Sequence, residues 1–291
     1  MVCRLSMTLT DPALESAKAA IHGLASQTAT NWDHAPVVIG ATGGSGTRAV
    51  HAALSALGLF MGERVNGAGD AMDYEPFLDQ WINRLIARRN RLDYSLDDLS
   101  WFQRFQVRRG FDKARRQYQV ERPAGQRWGW KNPRTMYVLP VIADRFPDFR
   151  FLHVVRDGRD MALSDNQNQR RKHYEALFGN QAGDRDTPAA SAQLWAAANM
   201  QAADWGEVSL GAHYHRVRLE DLCHRPQATI EAIVEWLQLD LGSDPSQLIE
   251  AACATIVTPG SLGRWQQGDD AEQQRITQAA ETALKRFGYI G

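Results

Sequence analysis

The sequence has few cysteines and no long apolar run. Cys3, Cys223 and Cys253 are odd in number and lack the spacing of metal ligands, so we expect no metal site and a reducing, cytoplasmic location. The first residues lack the apolar core of a signal peptide. No stretch approaches the roughly 20 apolar residues that cross a bilayer, so we expect no membrane span.

The chain also lacks an excess of charge. A net charge of -1 over 291 residues predicts no global attraction to nucleic acid or membranes, so any preference for anions must be local. A composition of 44% hydrophobic and 23% charged residues is ordinary for a globular enzyme, and the length allows one large α/β domain or two small ones.

A glycine-rich turn is the most distinctive feature that is present, in the sequence PVVIGATGGSGTRAVHAAL. The β-branched run predicts a buried parallel strand over Pro36–Ile39, and apolar residues at helical spacing after the turn predict a helix that Ser45 and Thr47 can cap. Backbone N–H groups at a helix N-terminus bind anions, because unpaired amides and the helix dipole converge there. We therefore expect a phosphate or sulfate site, formed by Gly43, Gly44, Ser45, Gly46, Thr47 and Arg48.

This turn lacks the lysine and the spacing of a Walker A motif, which disfavours hydrolysis of ATP or GTP. A glycine-rich turn that only packs a helix on a sheet is the alternative at this point, and the turn alone does not distinguish the two roles.

Strands alternate with helices along the chain. The clearest strands are expected over Phe149–Val155 and Tyr214–Leu219, and shorter ones over Gly58–Gly62 and up to Lys131. This alternation predicts an α/β fold: a three-layer sandwich with a mostly parallel central sheet, a P-loop-like anion site and a helical insertion between the first two motifs. In such sheets ligands bind at the carboxyl ends of the strands.

Three segments stand apart from this alternation. Residues 1–34 are expected to form an N-terminal extension with one helix from about Asp11 to Ala25, ahead of a single α/β domain over 35–291. Residues 84–122 are rich in arginine with interleaved aromatics, and we expect a solvated helical insertion rather than a grip on an anionic acceptor. His173–Pro188 is polar and is expected to be a surface loop, with a lid as the alternative.

Five stretches, taken together and in order, resemble the sulfotransferase family, which uses 3′-phosphoadenosine 5′-phosphosulfate (PAPS) as donor. They are GGSGT (Gly43–Thr47), WKNPR (Trp130–Arg134), RFLHVVRDGRDMALS (Arg150–Ser164), VRLEDL (Val217–Leu222) and SLGRW (Ser261–Trp265). The likeness covers about Pro36 to the C-terminus, and the order of all five is far more specific than any one motif.

The resemblance implies a function and a donor site. It implies transfer of a sulfuryl group from PAPS to a hydroxyl or amine of a small-molecule, glycan, lipid or peptide acceptor, without metal or nucleic acid. The glycine loop would hold the 5′-phosphosulfate, and Arg156, Ser164 and Arg264 the 3′-phosphate. A guanidinium and a hydroxyl suit that compact dianion. The alternative for Arg156 is an ordinary ion pair with Asp157 or Asp160.

One departure from the family pattern concerns charge at the loop. The family usually has lysine or arginine directly before Ser-Gly-Thr, where this chain has Gly44. Lys131 is the first candidate for the missing cation, because related enzymes place a lysine of a similar Lys-x-Pro segment there, and Arg48 is the second. Two alternatives follow: a P-loop nucleotide kinase or phosphotransferase, or a nucleotide-binding relative without activity.

The general base for the acceptor is not fixed by the pattern. Four carboxylates qualify by their position after the glycine loop, with Glu75 and Asp70 as the leading pair, and a role at a helix start is the alternative for each. The other two are Glu63 and Asp73. His51 and His153 are expected to be packed histidines rather than bases.

Overall fold

The computed structural model describes residues 35–179 and 184–291. Within these residues four strands form one parallel sheet in the order β2-β1-β3-β4. They are β1 (Val37–Gly40), β2 (Gly129–Lys131), β3 (Arg150–Val155) and β4 (Tyr214–Arg218). Every residue of β1, β2 and β3 is buried, as continuous apolar runs predict for parallel strands.

The helices that connect these strands lie between and after them. They are α1 (Thr47–Ala56), α2 (Glu75–Ile86), α3 (Trp101–Tyr118), α4 (Leu139–Arg145), α5 (Gly158–Ala162), α6 (Asn168–Phe178), α7 (Pro188–Ser209), α8 (Leu219–His224), α9 (Pro226–Leu237), α10 (Pro245–Ala254) and α11 (Asp270–Arg286). Short 3₁₀ turns add Met72–Tyr74, Leu96–Asp98, Pro133–Val138, Gly211–His213 and Arg264–Gln267. In the described parts of the chain, no helix combines the length and hydropathy that crossing a membrane requires.

Helices cover both faces of the sheet, because successive side chains of a strand point to opposite sides. Val37 and Ile39 of β1 belong to a core cluster with residues of α1, α9 and α10. Val38, between them, belongs to a second cluster with residues of α2, α3, α4 and α7. The predicted α/β sandwich with a parallel central sheet is therefore confirmed.

The predicted helical insertion between the first two motifs consists of α2 and α3. Ser100 and Gln103 form a reciprocal capping box that starts α3. Aromatic rings join this insertion to the sheet: Tyr74 stacks on Trp130 of β2 with ring centroids 4.7 Å apart, and Phe111 of α3 lies 5.7 Å from Tyr74. The insertion is thus packed directly against the strand that ends at Lys131.

Two local predictions about the first βα unit are wrong. Gly58–Gly62 is not a strand, since only Phe60 forms a bridge, with Trp128. Gly58 and Gly62 have φ angles of +88° and +92°, so left-handed backbone interrupts the extended conformation on both sides. The predicted capping of helix α1 by Ser45 or Thr47 is also wrong. The N-cap is Gly46, and the Ser45 hydroxyl donates instead to the Thr42 carbonyl at 2.8 Å.

The prediction of a polar loop over His173–Pro188 is also wrong in its first part. Helix α6 continues to Phe178, because His173, Tyr174 and Leu177 are buried on one of its faces. Residues 180–183 and the predicted helix Asp11–Ala25 lie outside the described residues.

Candidate functional site

A cavity of about 670 Å³ lies where β1, β2 and β3 end. Ile39 of β1 is in register with Lys131 of β2 and with Leu152 of β3, so the carboxyl ends of the three strands share one edge of the sheet. Its volume is in the range of small-ligand sites. Ten predicted site residues line it: Gly43, Gly44, Gly46, Thr47, Arg48, Asp70, Lys131, Arg156, Ser164 and Arg264.

The glycine loop takes its shape from two residues in the left-handed region. Gly44 has a φ of +87° and Gly46 a φ of +78°. A Cβ on Gly46 would lie 2.4 Å from the Leu219 side chain, so both the conformation and the packing require glycine. Because no side chain caps α1, the first amides of that helix have no side-chain acceptor. The loop therefore presents N–H groups at a helix N-terminus, the arrangement that binds anions.

Ser45 is the one loop residue of the prediction that does not line the cavity. Its side chain is buried, and its hydroxyl lies 3.1 Å from the Thr42 hydroxyl and 3.9 Å from the Met161 sulfur. Ser45 supports the loop from behind rather than facing the cavity.

Arg156 is the first residue after β3 and joins three segments of the chain. Its Nη1 donates to the Gly44 carbonyl at 3.3 Å, and its Nη2 donates to the carbonyl of Ser261. Its Nη2 also lies 2.8 Å from Asp160 Oδ2. Arg156 thus both lines the cavity and forms the ion pair with Asp160 that the sequence left as an alternative.

Ser164 and Arg264 approach the cavity beside Arg156. The sequence predicts Ser164 on the helix after β3, and this prediction is wrong. Helix α5 ends at Ala162, and Ser164 lies two residues beyond it. The Arg264 Nη1 donates to the Leu163 carbonyl at 3.1 Å. These contacts bring residues from the middle and from the C-terminal part of the domain together at the cavity.

Lys131 and Asp70, which also line the cavity, form an ion pair whose lysine is buried and whose aspartate is partly buried. The Lys131 Nζ lies 2.6 Å from Asp70 Oδ1 and donates to the Ala68 carbonyl at 2.7 Å. Only 2% of the Lys131 side chain is exposed. Burial lowers the pKa of Lys131, whereas Asp70 acts to raise it. The charges of this pair are therefore balanced against each other in the absence of substrate.

Asn66 holds the Asp70 carboxylate in place, and the sequence analysis did not identify it as a site residue. Its Nδ2 donates to Asp70 Oδ2 at 3.0 Å, and its Oδ1 accepts from the backbone amides of Ala68 and Asp70. The segment Asn66-Gly67-Ala68-Gly69-Asp70 carries a turn signal that could have identified it.

Glu75 is not brought to the cavity lining. It accepts a hydrogen bond from Asn132 Nδ2 at 2.6 Å and pairs with Arg134, which also pairs with Asp79 at 2.6 Å. Asp73, another candidate, is buried against Arg64. Among the candidate carboxylates in the part of the chain that the structure describes, Asp70 is the one that lines the cavity.

His153 was expected to be a packed histidine rather than a base. His153 is fully buried, lies 2.9 Å from Asn199 and 3.0 Å from the Tyr214 hydroxyl, and burial lowers its pKa to about 4. It is a packed neutral histidine, as predicted.

Arg48 is exposed at the cavity, and no carboxylate of residues 35–179 and 184–291 pairs with it. Those residues also contain no cluster of three or more metal-ligating side chains.

Comparison with known proteins gives one sequence match and several structural ones. A family model described as "Sulfotransferase family" matches residues 36–243. No curated protein matches the chain. The structure is similar to that of sulfotransferase STF9 from Mycobacterium avium, with 11% identity and a TM-score of 0.50 over 93% of this chain and 80% of that one.

Two further solved structures give similar values. Sulfotransferase STF1 from Mycobacterium tuberculosis H37Rv has 15% identity and a TM-score of 0.48 over 91% of this chain and 81% of that one. A sulfotransferase domain from the curacin biosynthetic pathway has 12% identity and a TM-score of 0.49, over 88% of this chain and 98% of that one.

Proposed function

Because this chain belongs to the sulfotransferase family, and so transfers sulfuryl groups, we propose that its donor is PAPS. The observation that carries the proposal is that the glycine loop, through Gly43, Gly44, Gly46, Thr47 and Arg48, lines one cavity together with Arg156, although the loop follows β1 and Arg156 follows β3. A glycine loop and a separate arginine suit a nucleotide with a phosphate at each end.

The 5′-phosphosulfate would be held by the glycine loop. The amides at the start of α1 supply N–H donors, and Thr47, buried at the first position of the helix, lines the same wall. Gly44 and Gly46 let the backbone approach the ligand, since neither has a side chain to intervene.

The 3′-phosphate would be held by Arg156, Ser164 and Arg264. Asp160 fixes the direction of the Arg156 guanidinium before the nucleotide binds, because one carboxylate oxygen accepts from both Nε and Nη2. A preoriented arginine loses less conformational entropy on binding than a free one.

Asp70 and Lys131 are proposed to act on the reacting groups. Asp70 takes the proton of the acceptor hydroxyl or amine, while the acceptor atom forms its bond to sulfur and the bond from sulfur to the bridging phosphate oxygen breaks. Lys131 stabilises the negative charge that develops on that oxygen. In this role it replaces the cation that the family usually has at the position of Gly44. Because Lys131 is held by Asp70, Arg48 remains the second candidate for this role.

The acceptor is expected to be a hydroxyl or amine of a small molecule, glycan, lipid or peptide. Ala49, Ala52, Ala68 and Pro133 line the cavity beside Asp70 and Lys131, and they would give an acceptor an apolar contact. The turn before the helical insertion supplies Asp70 to this part of the lining.

Calorimetric titration without magnesium tests the donor assignment. We expect 3′-phosphoadenosine 5′-phosphate, the spent donor, to bind more tightly than ATP, because only the former has a phosphate for Arg156. Preference for ATP would exclude PAPS as the donor. A sulfur-labelled donor assay against phenols, sugars, lipids and peptides then identifies the acceptor class.

A further inference from the structure

Helix α3 carries side chains on its outer face that the reaction site does not use. The opposite side of the helix is buried through Val107, Phe111, Ala114 and Tyr118. We call the exposed side the aromatic–basic face. It consists of Trp101, Phe102, Phe105, Arg109, Lys113 and Arg116. At 3.6 residues per turn these six positions fall within an arc of about 120°, which also contains the partly buried Asp112.

The aromatic rings of this face are strongly exposed. Trp101 is 80% exposed, Phe102 51% and Phe105 52%. Trp101 and Phe102 contact each other edge to face with ring centroids 5.8 Å apart. Rings of this size are normally buried, so a group of three at one helix end indicates a surface that another body covers.

The positive charges of the face have no carboxylate partners within the described ranges. Arg109, Lys113 and Arg116 are exposed and form no ion pair there. The other arginines of α3 are all paired, in the pairs Arg104 with Asp97, Arg108 with Asp144, and Arg115 with Asp112. The outer face therefore keeps three uncompensated positive charges on a chain whose net charge is -1.

Nearby acidic groups do not cancel this charge. Asp112 is the one carboxylate of α3, and it lies between Arg115 at 3.8 Å and Arg145 at 2.7 Å with 18% of its side chain exposed. Asp97, just before the helix, lies 2.9 Å from Arg104. Each is held by arginines outside the face.

From this arrangement we propose that the aromatic–basic face is a docking surface for an anionic lipid membrane. From Trp101 to Arg116 the helix is about 22 Å long, so its rings and charges can meet one flat surface together. Trp and Phe rings enter the headgroup region, and arginine and lysine are attracted to anionic lipids. A fluid interface accepts protruding rings without a matching groove, which a protein partner would have to supply.

The helix that carries the aromatic–basic face packs against the 3₁₀ turn Met72–Tyr74, which closely follows the proposed base, Asp70. Tyr74 lies four residues after Asp70. Its ring centroid is 5.7 Å from that of Phe111 and 5.4 Å from that of Tyr118, both on the buried side of α3. Docking would therefore act on the acceptor side of the cavity rather than on the nucleotide side. The inference does not depend on the identity of the donor.

Co-sedimentation of the full chain with vesicles tests the proposal. We expect binding to vesicles of phosphatidylcholine mixed with phosphatidylserine, and little binding to phosphatidylcholine alone. Arg109→Gln with Lys113→Gln should weaken binding roughly 30-fold, as the loss of two charges near an anionic surface predicts. Trp101→Ala should weaken it by on the order of tenfold, because an inserted ring is lost.

Matched variants elsewhere on the surface control for charge and hydrophobicity. Arg275→Gln with Lys285→Gln removes two exposed cations from α11, and Val208→Ala trims an 87% exposed side chain on α7. Neither should change vesicle binding. Absence of binding to the mixed vesicles, or an equal loss in the control variants, overturns the proposal. So does a dimer that Trp101→Ala dissociates without any vesicle binding, which would assign the face to a second copy of the chain.

Discussion

The ammonium group of Lys131 lies 2.6 Å from the carboxylate of Asp70, although the two residues are 61 positions apart. Lys131 ends the edge strand β2, and Asp70 lies in the turn that precedes the helical insertion. The fold has thus placed the cation and the base of the proposed reaction in contact before any substrate binds.

Lys131→Ala should lower the rate of sulfuryl transfer by about 100-fold or more, since it removes a preorganised charge from the reacting centre. Affinity for 3′-phosphoadenosine 5′-phosphate should change little. Single-turnover transfer and calorimetry measure the two quantities, with Lys285→Ala on the surface as control. Unchanged turnover would show that Lys131 takes no part in the mechanism. Arg48→Ala would then test the second candidate for the cation.

Asp70→Asn should lower transfer near neutral pH by about 10² to 10⁴-fold, because the general base is lost. It should also shift the alkaline limb of the pH–rate profile. Burial lowers the pKa of Lys131 and Asp70 raises it, so a neutral amide lets that pKa fall further. Lys131 then loses its positive charge at a lower pH. A limb that stays in place would contradict the coupling, and Asp240→Asn in an exposed loop is the control.

Arg156→Ala should weaken binding of the spent nucleotide by roughly 10 to 100-fold, the value of a hydrogen bond to a charged group. Calorimetry measures this, with Arg275→Ala as the surface control. Because the change also leaves Asp160 without its partner, Ser164→Ala provides a second variant that keeps the pair. Equal affinity in both variants would place the 3′-phosphate elsewhere.

Gly46→Ala should destabilise the fold more than Gly58→Ala. Both residues have positive φ, so each alanine stores about 1 kcal/mol or more of backbone strain. At Gly46 the new Cβ would also meet Leu219 at 2.4 Å, whereas nothing lies within 4 Å at Gly58. Chemical denaturation measures the free energy of unfolding of each variant. Similar losses would show that Leu219 moves aside.

His153→Gln should flatten the pH dependence of stability in mild acid. The pKa of His153 is lowered to about 4 in the fold by burial, from an ordinary value of 6.5. Between these values the unfolded chain binds the proton more readily, so stability falls as the pH drops from about 6.5 towards 4 and is unaffected above that window. His173, whose pKa burial lowers to about 3, acts in the same direction and should leave part of the slope. Denaturation midpoints at several pH values provide the measurement. An unchanged slope would mean that His153 titrates normally in the fold.

Much of the fold could be predicted because its signals are local. The strands predicted at β1 and β3 and the resemblance to the sulfotransferase family are both confirmed. The failures arose where tertiary packing decides the outcome. Helix α6 buries His173, a polar residue that a pattern of apolar positions does not reveal. The Gly58–Gly62 strand failed because two glycines turn the backbone out of the extended region.

Most residues that line the cavity could be predicted from the sequence, but their pairings could not. Arg156 and the glycine loop follow from the carboxyl ends of parallel strands. The contact between Lys131 and Asp70 depends on how the insertion folds back on the sheet, and no spacing in the sequence encodes it. The same holds for the hydrogen bonds of Asn66 to the Asp70 turn and for the position of Asp70, rather than Glu75, at the cavity.

The contacts of Arg156 with Gly44, Asp160 and Ser261 determine the smallest fragment that can keep the cavity intact. The family match ends at residue 243, so a piece cut there would retain all four strands yet lack Ser261 and Arg264. Such a piece would expose the Arg156 guanidinium on one side and leave the cavity open. Truncation studies and domain fusions should therefore keep the chain through α11, because the residues after 243 help to form the cavity as well as the scaffold.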